Sequence, residues 1–114
     1  MSRSVTDLLR HMCDEAEYLL DESRTLTKEQ FLTDETRRRA FVRSIEIIGE
    51  AAKGVPKSFR DKYPEVPWQS ISGMRDRLIH GYFAVDFEIV WDVVKNKTVP
   101  LRDQLKSILA VESE

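Results

Sequence analysis

A single cysteine, Cys13, stands in the whole chain, and glycine and proline occur four times each and histidine twice. One thiol excludes an intramolecular disulfide framework and a multi-cysteine zinc site, and suits a reducing, cytoplasmic setting. No apolar run approaches the ~18 residues that a membrane span requires. Met1-Ser2-Arg3-Ser4 leads into an amphipathic pattern rather than a signal peptide. So little glycine and proline, with no serine-rich linker, excludes a low-complexity or disordered segment. Neither sign of charge dominates. Eighteen basic against twenty acidic residues leave a net charge of −2, which excludes a polybasic arm as the means of holding nucleic acid. Contact with RNA would have to come from a local cluster rather than from the field of the whole protein. The 114 residues make one domain, 1–114. Surface scaling expects about two-thirds of the unfolded surface to be buried, enough for a core without staples.

What the chain has is helical periodicity from end to end. Val5, Leu8, Leu9, Met12, Ala16, Leu19 and Leu20 form one apolar stripe behind Ser4, a capping residue. Thr27 opens a short turn over Lys28–Leu32, and Thr33 or Asp34 can cap the next helix. That helix carries Phe41, Ile45, Ile48, Ala52 and Val55, with Arg37, Arg38, Arg39, Arg43, Glu46 and Glu50 on its opposite side. Gly49 costs it about 1 kcal/mol relative to Ala, which a close approach by another helix would explain. Gly54 and Pro56 stop it. A short helix between Pro56 and Tyr63 precedes a link bracketed by Pro64 and Pro67. Ile71, Met74, Leu78, Ile79 and Tyr82 then read as a further helix. Asp86 caps a last one, kinked or interrupted near Pro100. The fold class is therefore all-α: an antiparallel four-helix bundle with one or two extra short helices.

The segment Met74-Arg75-Asp76-Arg77-Leu78-Ile79-His80-Gly81-Tyr82-Phe83 concentrates the chemistry. An imidazole is the side chain suited to moving protons at neutral pH. A guanidinium grips phosphate oxygens and stabilises charge developing on them. Together they are the minimum kit for metal-free phosphodiester cleavage with a ribose 2′-hydroxyl as nucleophile. The sequence supplies no metal-ligand cluster, no glycine-rich phosphate loop and no Ser-His-Asp arrangement. At about 100° per residue, Arg75 and His80 stand roughly 140° apart on one straight helix, whereas Arg75 and Tyr82 share a face, as do Asp76 and His80. One protomer is thus a poor active site, and a two-fold dimer joining two copies of the segment would cure this.

Arg75, four residues, His80, one residue and Tyr82 reproduce an Arg-x4-His-x-Tyr motif. With Arg43-Ser44-Ile45-Glu46-Ile47-Ile48-Gly49-Glu50-Ala51-Ala52, the Val55-Pro56 stop and Trp68, the chain resembles the HepT-like ribonuclease toxins of the HEPN superfamily over most of its length. That resemblance implies an all-α HEPN bundle that dimerises with both motifs facing a shared cleft. It implies a metal-independent endoribonuclease with no cofactor, made beside a minimal nucleotidyltransferase antitoxin. Arg75 would hold the scissile phosphate and His80 would be the general base or acid. Asp76 would orient one of them, and Tyr82 would accept adenylate from the antitoxin. Arg39, Arg43 and Arg77 are candidates for tracking RNA phosphates.

Blander readings stand beside these. The arginine run can be a solvated helix face, and Glu46 and Glu50 are better suited to pairing with arginines than to catalysis. Trp68 and Trp91 suit a core or dimer contact and Phe83 the core of the bundle, and His11 and Cys13 are incidental, with His11 facing solvent. A rival of another class is a non-catalytic subunit that docks a nucleotidyltransferase and presents a nucleotide-lined cleft. A purely structural adaptor would leave Arg75, His80 and Tyr82 unexplained.

Overall fold

The computed structural model describes residues 4–78 and 84–112; the expectations for Ile79, His80, Gly81, Tyr82 and Phe83 lie outside the described residues. In chain order the helices are α1 (Val5–Ser23), α2 (Lys28–Thr33), α3 (Glu35–Lys53), α4 (Lys57–Lys62), α5 (Trp68–Ser72), α6 (Met74–Leu78), α7 (Phe87–Asn96) and α8 (Thr98–Glu112). Their starts follow from side chains that accept otherwise unpaired N–H groups. The Ser4 hydroxyl accepts from the Asp7 N–H at 3.1 Å. Thr27 and Gln30 cap each other reciprocally at α2, at 3.1 and 2.9 Å. Asp34 accepts from the backbone N–H and guanidinium of Arg37, which hold its carboxyl below the usual carboxylate range. Asp86 accepts from the N–H groups of Glu88 and Ile89.

Three contacts set α1 and α3 antiparallel. Arg37 meets Glu22 at 3.4 Å, the Ser44 hydroxyl donates to the Glu15 carbonyl at 3.3 Å, and Leu8 lies against the bare position of Gly54. On another side of α1 runs α8, also antiparallel: Lys106 reaches Glu17 at 3.1 Å, while Val99 and Arg102 share a recess with Leu20 and Arg24. The first helix is therefore the spine of the bundle. It buries Leu9, Met12, Cys13, Ala16 and Leu19 against Phe41, Ile45, Ile48 and Ala52 of α3, Val90 and Val94 of α7, and Leu101, Leu105 and Ile108 of α8. Burial pushes the Cys13 thiol pKa up, as suits an inert core residue. His11, expected to face solvent, is partly buried.

Phe31, on a six-residue helix that could not persist alone, locks α2 to its neighbours. Its ring stacks on Phe41 at 5.0 Å and on Trp91 at 5.3 Å, and meets Phe87 edge-on at 6.4 Å. Trp68 is also a core residue, its indole N–H donating to the Tyr63 carbonyl at 2.9 Å.

Two helices break where one was expected. The helix from Trp68 divides at Gly73, whose N–H donates to the carbonyls of Gln69 and Ile71 while its own carbonyl accepts from Asp76 and Arg77. Glycine is the weakest helix former after proline, so the break falls there. The expected interruption of the last helix falls at Lys97, which closes α7 onto the Val93 carbonyl at 2.9 Å. Pro100 then sits in the first turn of α8, where its missing N–H costs nothing.

Phe31→Ala is expected to cost about 3–5 kcal/mol, because it empties the centre of the aromatic cluster. Urea unfolding followed by far-UV circular dichroism measures this; a loss below about 1 kcal/mol would mean that α2 is not locked by this ring.

Candidate active site

Position 49 decides how α5 meets α3. A Cβ built on Gly49 would lie 3.2 Å from the Ile71 carbonyl oxygen and 3.8 Å from that of Ser72. The missing side chain thus lets the C-terminal end of α5 lie directly on the α3 backbone, the close approach that the sequence suggested. Ile71 is buried at this contact, and Ser72 turns its hydroxyl back to the Trp68 carbonyl at 2.9 Å. The chain then turns at Gly73 and starts α6 beside the same stretch of α3.

The first turn of α6 carries Arg75. Its Nε donates to a carboxylate oxygen of Glu46 at 3.2 Å; the arginine is about half exposed and Glu46 is 27% exposed. Glu46 lies three residues before Gly49, so the close approach and the ion pair are neighbouring features of one helix face. Sequence reasoning placed Glu46 opposite an arginine without finding which one. Its position one turn from Gly49 was the available signal. The carboxylate that meets Arg75 is Glu46 and not the adjacent Asp76, which is exposed and gives its N–H to Gly73.

Arg77 turns the other way. Its Nη2 donates to the Ser70 carbonyl on α5 at 3.1 Å and approaches the Met74 sulfur at 3.6 Å. Of the remaining candidates, Arg39, Arg43, Glu46 and Glu50 fall within about 60° of one another around α3. Arg39 is exposed and bonded to Glu35 at 2.6 Å, and Arg43 is exposed one turn before Glu46. The rest of the arginine run is committed elsewhere: Arg37 to Asp34 and Glu22, and Arg38 over the Phe87 ring, its Cζ 4.6 Å from the centroid. Structure therefore brings Arg75 to the Arg39–Arg43 face and leads Arg77 away from it.

Leu78 and Asp86 bracket the remaining motif positions in sequence. The Asp86 N–H donates to the Leu78 carbonyl at 2.9 Å, and Leu78 is buried. His80 and Tyr82, the other two motif positions, fall within the stretch that begins and ends at this pinned pair. Among the described residues no group of three or more His, Cys, Asp and Glu is arranged to hold a metal ion, and no helix is long and apolar enough to cross a membrane.

A family model described as ribonuclease HepT-like matches residues 7–108. The chain belongs to the HepT-like ribonuclease family. With that family goes the all-α HEPN bundle built above. Among its HepT-like relatives is a Caldanaerobacter subterraneus protein named "Putative RNase", 46% identical over 104 residues that cover 91% of this chain and 93% of that one. A Thermococcus cleftensis protein named "Probable ribonuclease HepT" is 37% identical over 108 residues, 95% of this chain and 98% of its own. A Methanocaldococcus jannaschii protein, also named "Putative RNase", is 44% identical over 91 residues, 80% and 72% of the two chains. No solved structure matches.

Gly49→Ala tests the seating of the site. It gains about 1 kcal/mol of helix propensity and loses about 1–3 kcal/mol by pushing into a backbone carbonyl that α5 cannot withdraw without moving buried Ile71 and Trp68. A net loss of about 1 kcal/mol in urea unfolding is expected. A more stable variant would show that α5 gives way freely.

Proposed function

We propose that this HepT-like protein is a metal-independent endoribonuclease, acting as a homodimer and serving as the toxin of a toxin–antitoxin pair. What supports the reading is the anchored Arg75: a half-exposed guanidinium held through Nε by Glu46, one turn from buried Leu78 and the pinned ends of the stretch that contains His80. Holding an arginine by Nε leaves its two Nη groups for a planar, two-point grip on phosphate oxygens.

The reaction balances without a redox partner or metal. His80 takes the proton of the ribose 2′-hydroxyl as its oxygen attacks the adjacent phosphorus. Charge builds on the non-bridging oxygens, where Arg75 stabilises it. The bond to the 5′-oxygen breaks, and that oxygen takes back the proton that the imidazole accepted. A 2′,3′-cyclic phosphate and a 5′-hydroxyl result. Asp76, four residues before His80 in sequence, orients it, and Arg39, Arg43 and Arg77 hold flanking phosphates. The dimer supplies two copies of the motif to one cleft.

Control comes from the nucleotidyltransferase antitoxin, which transfers adenylate from ATP to Tyr82 and releases pyrophosphate. The attached phosphate and base then compete with RNA for Arg75 by charge and by volume.

In excess EDTA the purified protein is expected to cut RNA to cyclic-phosphate ends, with Arg75→Ala and His80→Ala each at least ~100-fold slower. Equal cleavage by all three, or cleavage that needs added metal, removes the proposal and leaves the docking-subunit reading in its place. Intact mass spectrometry after incubation with the nucleotidyltransferase and ATP is expected to show added adenylate that vanishes in Tyr82→Phe. An unchanged mass of the parent protein would count against this control.

A further inference from the structure

Arg77 marks the way from the candidate active site to a second feature of the surface. The carbonyl that its guanidinium grips belongs to Ser70, and Ser70 lines an open recess of about 620 Å³ between α4, the 64–67 link and α5. Lys57, Arg60 and Gln69 form its polar side. Pro64, Pro67 and the edge of Trp68 form an apolar wall. Asp61 is the one acidic residue of the lining, and it is paired with Lys57 at 2.8 Å in an exposed contact for which a phosphate can compete. Arg60 has no carboxylate partner among the described residues, and its Nε is shut off from water without an acceptor. Two cations of the lining are therefore matched by a single acid, and a third, Arg77, is bonded to the lining residue Ser70.

We propose that this recess holds single-stranded RNA flanking the scissile bond, with phosphates on Arg60, Lys57 and Arg77 and a ribose or base against the proline wall. The inference rests on the ribonuclease reading above and adds where the strand runs. A cationic groove beside an apolar surface is how single strands are held without sequence readout. The recess is open to solvent, which suits a passing chain better than an enclosed small molecule. Continuity is supplied by α6, which turns Arg75 toward α3 and Arg77 toward α5. A net charge of −2 makes such a local cluster the available means of attracting a polyanion.

The test measures binding without cutting, in the full-length His80→Ala protein, by fluorescence anisotropy. The probe is an end-labelled single-stranded RNA of about 20 nucleotides, longer than one such site occupies, titrated at several salt concentrations. Lys57→Ala/Arg60→Ala is expected to weaken binding at least ~10-fold. It should also flatten the slope of log K against log salt by about 1.4, two phosphate contacts at about 0.7 each. Lys57→Gln/Arg60→Gln keeps more of the side-chain stems, should show the same loss, and guards against a folding defect. Arg24→Ala/Lys95→Ala removes the same charge from the other recess, between α1, α7 and α8, and should change affinity less than about twofold. Equal effects of the recess and control pairs overturn the proposal while leaving the ribonuclease reading intact. Unchanged RNA binding with lost binding of the nucleotidyltransferase also overturns it and assigns the recess to a protein partner. Absence of RNA binding by the parent overturns the ribonuclease reading and this inference together.

Discussion

One missing side chain governs the end of this molecule that carries the candidate site. Because residue 49 is glycine, the Ile71 carbonyl rests where a Cβ would crowd it, and α5 lies on the backbone of α3 instead of on its side chains. That approach fixes where α5 ends. The turn at Gly73 then fixes where α6 begins, and with it which carboxylate Arg75 can reach. A bulkier residue at 49 would lift the short helices as a unit, since neither is long enough to hold its own course. The guanidinium is thus placed by a backbone contact, and its charge partner only completes the placement.

Energetics divide the bundle into two regions. The end built around Phe31, Phe41, Trp91 and the buried stripe of α1 carries the large apolar burial, where one ring contributes several kcal/mol. The Arg75–Glu46 pair is half exposed and contributes about 0–1 kcal/mol to folding. Its value is directional. A carboxylate on Nε restricts how the guanidinium can rotate and leaves the outer nitrogens facing outward. In the proposed reaction the same carboxylate would oppose an incoming phosphate, so the arginine would be held at some electrostatic cost to binding. Such a compromise is tolerable where orientation matters more than ground-state affinity, because only interactions that strengthen in the transition state accelerate a reaction.

Much of the fold was legible because it is written in local periods and caps. Phe41, Ile45, Ile48, Ala52 and Val55 are all buried as their spacing required, and Ser4, Thr27, Asp34 and Asp86 all accept the N–H groups of the helices they precede. The break at Gly73 was not legible, because Ile71, Met74 and Leu78 keep a helical period across it. Burial depends on the face a residue presents, and a turn of one residue does not disturb that face enough to register. Nor could a single chain of letters tell the arginines of α3 apart. Arg37 answers to Glu22 on α1 and Arg38 to the Phe87 ring, partners 15 and 49 residues away in sequence. Arg75 met its Glu46 across 29 positions for the same reason. Motif spacing named the candidate residues; the neighbours of those described are a property of helix packing.

The charge balance and the proposed substrate are reconciled by where the cations are committed. Arg10, Arg24, Arg39 and Lys106 are each matched to a nearby carboxylate, which keeps the net charge close to zero and most of the surface indifferent to polyanions. Arg43 and Arg60 have no carboxylate partner among the described residues, and Arg75 gives only Nε to Glu46. These residues lie on α3, α4 and α6, while Lys95 and Lys97, which also lack a carboxylate partner among the described residues, lie at the end of α7. At physiological salt a field is screened within about 8 Å, so a few well-placed cations outweigh a distant surplus. On the proposed reading, such a protein would hold an RNA strand through geometry and short-range contacts rather than through its net charge.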